Sequence, residues 1–99
     1  MANGKISIIK GWKYLKTVTG GTETHFNSGY TEYLFIFGTP YYKNSCILPD
    51  NEGGVFVFAW GNNRMLVDLA ANAYTVHVLE TIQDGTDNTA NATVKIYAR

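Results

Sequence analysis

Ninety-nine residues provide for one domain with a thin core. Eight Lys and Arg offset eight Asp and Glu, so no overall field draws the chain to nucleic acid or anionic lipid. No apolar stretch approaches the roughly eighteen residues of a spanning helix. Ten Gly, nine Asn and 14% aromatic residues, with frequent Val, Ile and Thr, describe strand and turn chemistry.

The N-terminal residues 1–14 lack a long apolar run followed by a small-residue cleavage site and do not read as a secretory signal. Lys5–Lys10 is a short strand candidate closed by Gly11. Trp12–Thr19 alternates, with Trp12, Tyr14, Lys16 and Val18 assigned to one face. Gly20-Gly21 marks a turn, Thr22–Phe26 a further short strand, and Asn27-Ser28-Gly29 a second break. Thr31–Phe37 (TEYLFIF) is the strongest strand signal of the first half, too densely apolar for one wet face. Pro40 and Pro49 bound a less regular stretch, 41–49, and exclude a central strand at either point.

Asp50–Gly54 is a turn, and Val55–Trp60 (VFVFAW) is again continuously apolar. Arg64–Ala70 alternates as a strand would, although Leu66, Leu69, Ala70 and Ala73 also fit helical spacing. Its shortness, between Asn-rich breaks, favours the strand. Ala73–Glu80 places Tyr74, Val76 and Val78 together, Gln83–Asn91 reads as a long polar loop, and Ala92–Ala98 closes the chain as a core strand. Seven to nine short strands without helical crossovers predict an all-β fold, an antiparallel β-sandwich of jelly-roll type, in a single domain over 1–99.

Chemistry-bearing residues are scattered. His25, His77 and Cys46 fall in different segments at no metal-ligand spacing, so neither a metal nor another cofactor is expected, unless His25 or His77 meets its copies on an oligomer axis. Cys46, beside Ile47 and Leu48, reads as a small buried hydrophobe. No catalytic residue is assigned: there is no nucleophile elbow or phosphate loop, and of the eight acidic residues only Glu32 and Asp68 invite comparison with a glycosidase pair. Asp84–Thr89 offers carboxylates but lacks the register of a calcium loop. The aromatics beside turns are the best binding candidates. Tyr41 and Tyr42 follow Gly-Thr-Pro and precede Lys43-Asn44; with Asn44 and Trp60 they suit the apolar face and hydroxyls of a sugar.

The segment order over residues 12–99 resembles the small C-terminal β-rich modules of bacteriophage tail-fibre and other minor structural, receptor-binding proteins. The likeness is carried by Trp12-Lys-Tyr-Leu-Lys-Thr-Val-Thr-Gly20, Gly29-Tyr-Thr-Glu-Tyr-Leu-Phe-Ile-Phe37, Cys46-Ile-Leu-Pro49, the paired segments Arg64–Leu69 and Ala73–Leu79, and the ending Thr93–Arg99. Tyr30-Thr-Glu32 and Tyr97-Ala-Arg99 match the start of the family's central strand and its terminal aromatic and Arg. The resemblance implies a non-enzymatic virion protein, assembled in the bacterial cytoplasm as a homo-oligomer, a trimer above all. Its expected partners are other virion proteins and a bacterial surface glycan, with no nucleic acid and no membrane insertion. The alternatives are capsid or tail decoration without receptor binding, and a depolymerase-type glycan-cleaving enzyme.

Overall fold

Segments rich in β-branched and aromatic residues, separated by Gly and Asn, become nine strands among the described residues of the computed structural model, which cover 9–38 and 43–99 and, for Lys43 and Trp60, the backbone alone. They are β1 (Lys13–Thr19), β2 (Thr24–His25), β3 (Glu32–Gly38), β4 (Lys43–Pro49), β5 (Gly53–Trp60), β6 (Asn63–Ala70), β7 (Thr75–Gln83), β8 (Thr86–Asp87) and β9 (Thr93–Ala98). Two antiparallel sheets result, one ordered β1-β9-β3-β4 and the other β2-β7-β6-β5. Ile82 pairs with both Arg64 and Asp87, so β8 lies on the side of β7 away from β6, at the opposite end of that strand from β2. The fold is an all-β sandwich. The first and last strands, β1 and β9, lie side by side, while β3–β4 and β5–β6–β7 are neighbours in both sequence and space.

The density of Thr31–Phe37 is explained by its place. β3 is central, between β9 and β4. Tyr33, Phe35 and Phe37 enter the core with no exposure, and Leu34 on the opposite face is also buried. The second sheet meets them with Met65, Val67 and Leu69 from β6 and Val76 and Val78 from β7. Phe37 and Phe58 bridge the sheets with ring centroids 5.1 Å apart, and Phe26 lies edge-on to Tyr33 and Phe35 at 5.2 and 5.6 Å. Such aromatic pairs add about 0.5–1.5 kcal/mol to the burial of their surfaces.

Several boundaries differ from the sequence reading. Of the first strand candidate, residues 5–8 lie outside the described residues, and Ile9 forms an isolated bridge to Trp12. Arg64–Ala70 is strand, not helix, because it pairs on both sides with β5 and β7. The stretch 41–49 contains a regular strand from Lys43 on, at the edge where Pro49 removes no ladder bond needed by a second neighbour. The polar loop is shorter than expected: β7 runs to Gln83, Asp84 and Gly85 turn with positive φ of 52° and 79°, and β8 and a 3₁₀ turn at Thr89–Asn91 follow.

Two bulges reset the alternation. In β1, Tyr14 pairs with Tyr97 and Lys16 with Ile96, leaving Leu15 as the extra residue. Tyr14 therefore leaves the face of Lys16 and Val18 and lies edge-on to Tyr97 at 5.5 Å on the outside of the sheet. In β7 the extra residue is Leu79, because Leu66 pairs with Glu80 and Val67 with Val78.

One turn depends on having no side chain. A Cβ on Gly20 would stand 2.2 Å from the carbonyl oxygen of Thr89, while the Gly20 amide donates to Ala92 O at 2.9 Å. Gly20→Ala is expected to destabilise the protein by about 1–3 kcal/mol through forced displacement of the 3₁₀ turn. Gly21, with open space around it but a φ of 96°, is governed by strain instead. Urea unfolding midpoints of Gly20→Ala and the parent check the value.

Candidate functional site

Two of the four residues expected to bind a sugar, Asn44 and Trp60, fall at one end of the sandwich. β4 runs into the 50–52 turn and β5 runs out of it, so Asn44 and Trp60 both lie at the end remote from that turn. Asn44 is half-buried opposite Phe37, and Trp60 closes β5 opposite Asn63. Tyr41 and Tyr42 lie outside the described residues.

Two open hollows of about 280 Å³ each occupy this same end. One is framed by Ala59, Gly61, Asn62, Asn63, Arg64 and Ile82, and is a cleft between a tight turn and the Arg64–Glu80 ion pair. The other is lined by Gln83, Asp84, Thr86, Asp87 and Asn88. One of its acidic side chains, Asp87, serves the turn itself. Asp87 Oδ1 accepts from the Thr89 hydroxyl at 2.6 Å and the Thr89 amide at 3.0 Å, and these two bonds, the hydroxyl first, hold its carboxyl below the usual range. Asn88 donates its amide to the Gln83 carbonyl oxygen.

The opposite end carries an organised cluster that the sequence did not signal. Phe26, Tyr33 and Tyr74 pack edge-on or tilted with centroids 5.2–6.1 Å apart, and Tyr30 extends the group at 6.1 Å from Tyr33. Tyr74 has a φ of 55°, a left-handed conformation that an aromatic residue adopts at a cost of about 1–3 kcal/mol. Its hydroxyl faces the Asp50 carboxylate, and one Asp50 oxygen, Oδ1, is buried without a hydrogen-bond partner. Desolvation, then the Asp50 contact, raises the Tyr74 pKa above its ordinary 10.0; desolvation likewise leads in raising Tyr33. Beside this cluster Arg99 stacks on Trp12, 4.1 Å from the ring, and its Nε donates to Glu32 Oε1 at 2.8 Å. The Arg99 carbonyl accepts from the amides of Thr31 and Glu32. The ending Tyr97-Ala-Arg99 and the segment Tyr30-Thr-Glu32 therefore meet, and together they clamp the last strand.

Asp50 reads in sequence as an ordinary turn residue, and nothing in Ala73-Tyr74-Thr75 signals a left-handed tyrosine. Only the convergence of three loops at one end reveals the group.

Other sequence candidates separate. Glu32 alternates with inward Tyr33 and Asp68 with inward Val67 and Leu69, so the two carboxylates stand on opposite outer faces of one protomer. His77 pairs with Asp68 on the outside of the second sheet, and His25 is exposed on β2. Among the described residues no three His, Cys, Asp or Glu side chains gather as a metal site, and no helix is long and apolar enough to cross a membrane. Cys46, expected to be buried, is only half-buried, packed against the core, and desolvation pushes its thiol up to about 11. No family model, curated protein or solved structure matches the chain.

Two pH-dependent outcomes follow from this chemistry. At pH 8 the Cys46 thiolate population is about a hundredfold below that of a thiol at the ordinary 9.0. Because a more basic thiolate is also more nucleophilic, alkylation by iodoacetamide is expected to slow by about tenfold or more until the protein is unfolded. Cys46, Tyr33 and Tyr74 all hold their protons more tightly folded than unfolded. The Cys46 contribution to stability is thus full below about pH 9 and lost as pH rises through 9–11, and those of Tyr33 and Tyr74 are lost only as pH rises above 10. Denaturant midpoints at pH 8, 9, 10 and 11 should fall, and Tyr74→Phe should flatten the decline.

Proposed function

We propose that this chain is a non-enzymatic bacteriophage particle module that acts as a homo-oligomer and binds a bacterial surface glycan through the sandwich end carrying Asn44 and Trp60. Two things support the reading. The segment order resembles tail-fibre and minor structural modules, and the sandwich leaves β5 at an edge with Val55 and Val57 more than half exposed. The β5 edge, unpaired among the described residues, is the observation that carries the homo-oligomer, since an uncharged strand edge invites pairing with another chain. Tyr41 and Tyr42, with Asn44 and Trp60, supply rings and hydrogen-bonding groups of the kind a sugar takes, and several linked copies multiply contacts that are individually weak. Virion localisation and assembly with other virion proteins belong to the same proposal.

The test is binding of the purified protein to host cell-wall material. Tyr41→Ala with Tyr42→Ala is expected to weaken retention at least tenfold while leaving the thermal midpoint in place. Unchanged retention removes these residues from the site. A second reading, capsid or tail decoration or a fibre tip without receptor binding, is favoured by the same β5 edge. It predicts strong association with the virion and none with host envelopes.

A further inference from the structure

A sandwich of two open sheets has four lateral edges, and three are blunted here. β1 carries Lys13 and Lys16 and is bent by the Leu15 bulge. β2 has two residues and β8 two, and between them the open edge of β7 is occupied: Gly21 donates to Val78 O, Asn88 donates to Thr81 O, and the Thr81 amide donates to Thr89 Oγ1. β4 is bounded by Lys43 and Pro49. Lysines, proline, bulges and short strands are the devices by which sheet edges avoid further pairing.

β5 has none of them. Its eight residues, Gly-Gly-Val-Phe-Val-Phe-Ala-Trp, include no charge and no proline, and its pairing with β6 is regular from Gly53 to Trp60. Its outer edge, unpaired among the described residues, offers a ladder of backbone groups flanked by Val55 and Val57, which are 57% and 58% exposed. We propose that β5 pairs antiparallel with β5 of a second copy of this chain across a two-fold axis at Val57, joining the two β2-β7-β6-β5 sheets into one. This rests on the reading above that the module works as an oligomer, and it names the surface.

The outer face is self-complementary in the antiparallel direction: no like charges are opposed, and Arg64 is already neutralised by its ion pair with Glu80. With Val57 on the axis, Val55 of each copy opposes Ala59 of the other. On the outer face, β6 places Asp68 beside Val55, Leu66 beside Val57 and Arg64 beside Ala59. Each Asp68 row therefore continues into the second copy's Arg64 row, about 14 Å away over three strand spacings. A parallel alignment would set Asp68 against Asp68 and Arg64 against Arg64. The central row reads Leu66–Val57–Val57–Leu66, apolar throughout. On the inner face the half-buried Phe56 and Phe58 each gain the other's ring as a cross-strand neighbour. An isologous pair closes at two copies, in place of the three-fold assembly that the resemblance implies.

The decisive measurements are solution mass and cross-linking of the full chain. The parent is expected at twice its 11.0 kDa, and Val57→Lys as a monomer at concentrations at least tenfold above those at which the parent is dimeric, with unchanged far-ultraviolet circular dichroism. In a Cys46→Ala background, Val57→Cys should form a disulfide-linked dimer on mild oxidation, whereas Ile47→Cys, on the exposed face of β4, should not. A monomeric or trimeric parent, a Val57→Lys dimer, or Val57→Cys that stays unlinked overturns the proposal. Cell-wall retention, measured separately, distinguishes failure of the glycan reading from failure of this pairing.

Discussion

The two-residue period of an extended chain governs this molecule, because a slip of one position exchanges the core face for the solvent face along a whole strand. Two bulges use that rule locally. The extra Leu15 places Val18 opposite Val94 toward the second sheet and, on the other side of the bulge, Tyr14 opposite Tyr97 on the outside. Lys16, on the inward side of the bulge but at the edge, extends its ammonium to the carbonyl of His25 at 2.9 Å and so ties the edge of one sheet to that of the other. In β7 the extra Leu79 keeps Val76 and Val78 in the core and lets Thr81 and Gln83 follow them inward. Strict alternation through either strand would have turned half of it inside out.

The two ends of the sandwich are closed by different means. At the 50–52 end the closure is aromatic. Tyr74 is held left-handed by rings on two sides, and the C-terminal Arg99 is fixed by three backbone bonds, a stacked Trp12 and the Glu32 carboxylate. The Arg99–Glu32 pair alone, half-exposed, would contribute little. Its value is positional, since it completes a clamp whose hydrogen bonds are made by the backbone. At the other end closure is polar, through the Asp87–Thr89 bonds, the Asn88–Gln83 contact and the close approach of Gly20 to the 3₁₀ turn. The end proposed to meet a glycan is thus the one already built from hydrogen-bonding side chains.

The fold class was legible because it rests on composition and period, which are local. Thr31–Phe37 and Ala92–Ala98 declared themselves as core strands, and the structure sets them side by side. The helical alternative at Arg64–Ala70 was decided only by neighbours on both sides, which no single segment contains. The bulges were not legible, since a bulge leaves residue types unchanged and alters only which partner each one meets. The Asp50–Tyr74 contact was invisible for a related reason: its members are 24 positions apart and each resembles an ordinary turn residue. Asn44 and Trp60, chosen for their chemistry beside turns, share an end because β4 and β5 are consecutive and reverse direction, a consequence of topology that spacing alone does not reveal.

A single layer of side chains between two sheets produces a gradient of burial across each sheet. In the second sheet Met65, Val67 and Leu69 on β6 have no exposure, while Phe56 and Phe58, one strand further out, are only half-buried, although they are larger and more apolar. Burial energy scales with area removed from water, at roughly 25 cal/mol per Å², so β5 contributes less than its sequence would allow. A strand with free backbone groups along one side and half-buried aromatics is the part of such a sheet that opens at the lowest free energy. Among the described residues no strand lies beyond β5 in its sheet, and a zero net charge puts no long-range repulsion in the way of a second identical chain.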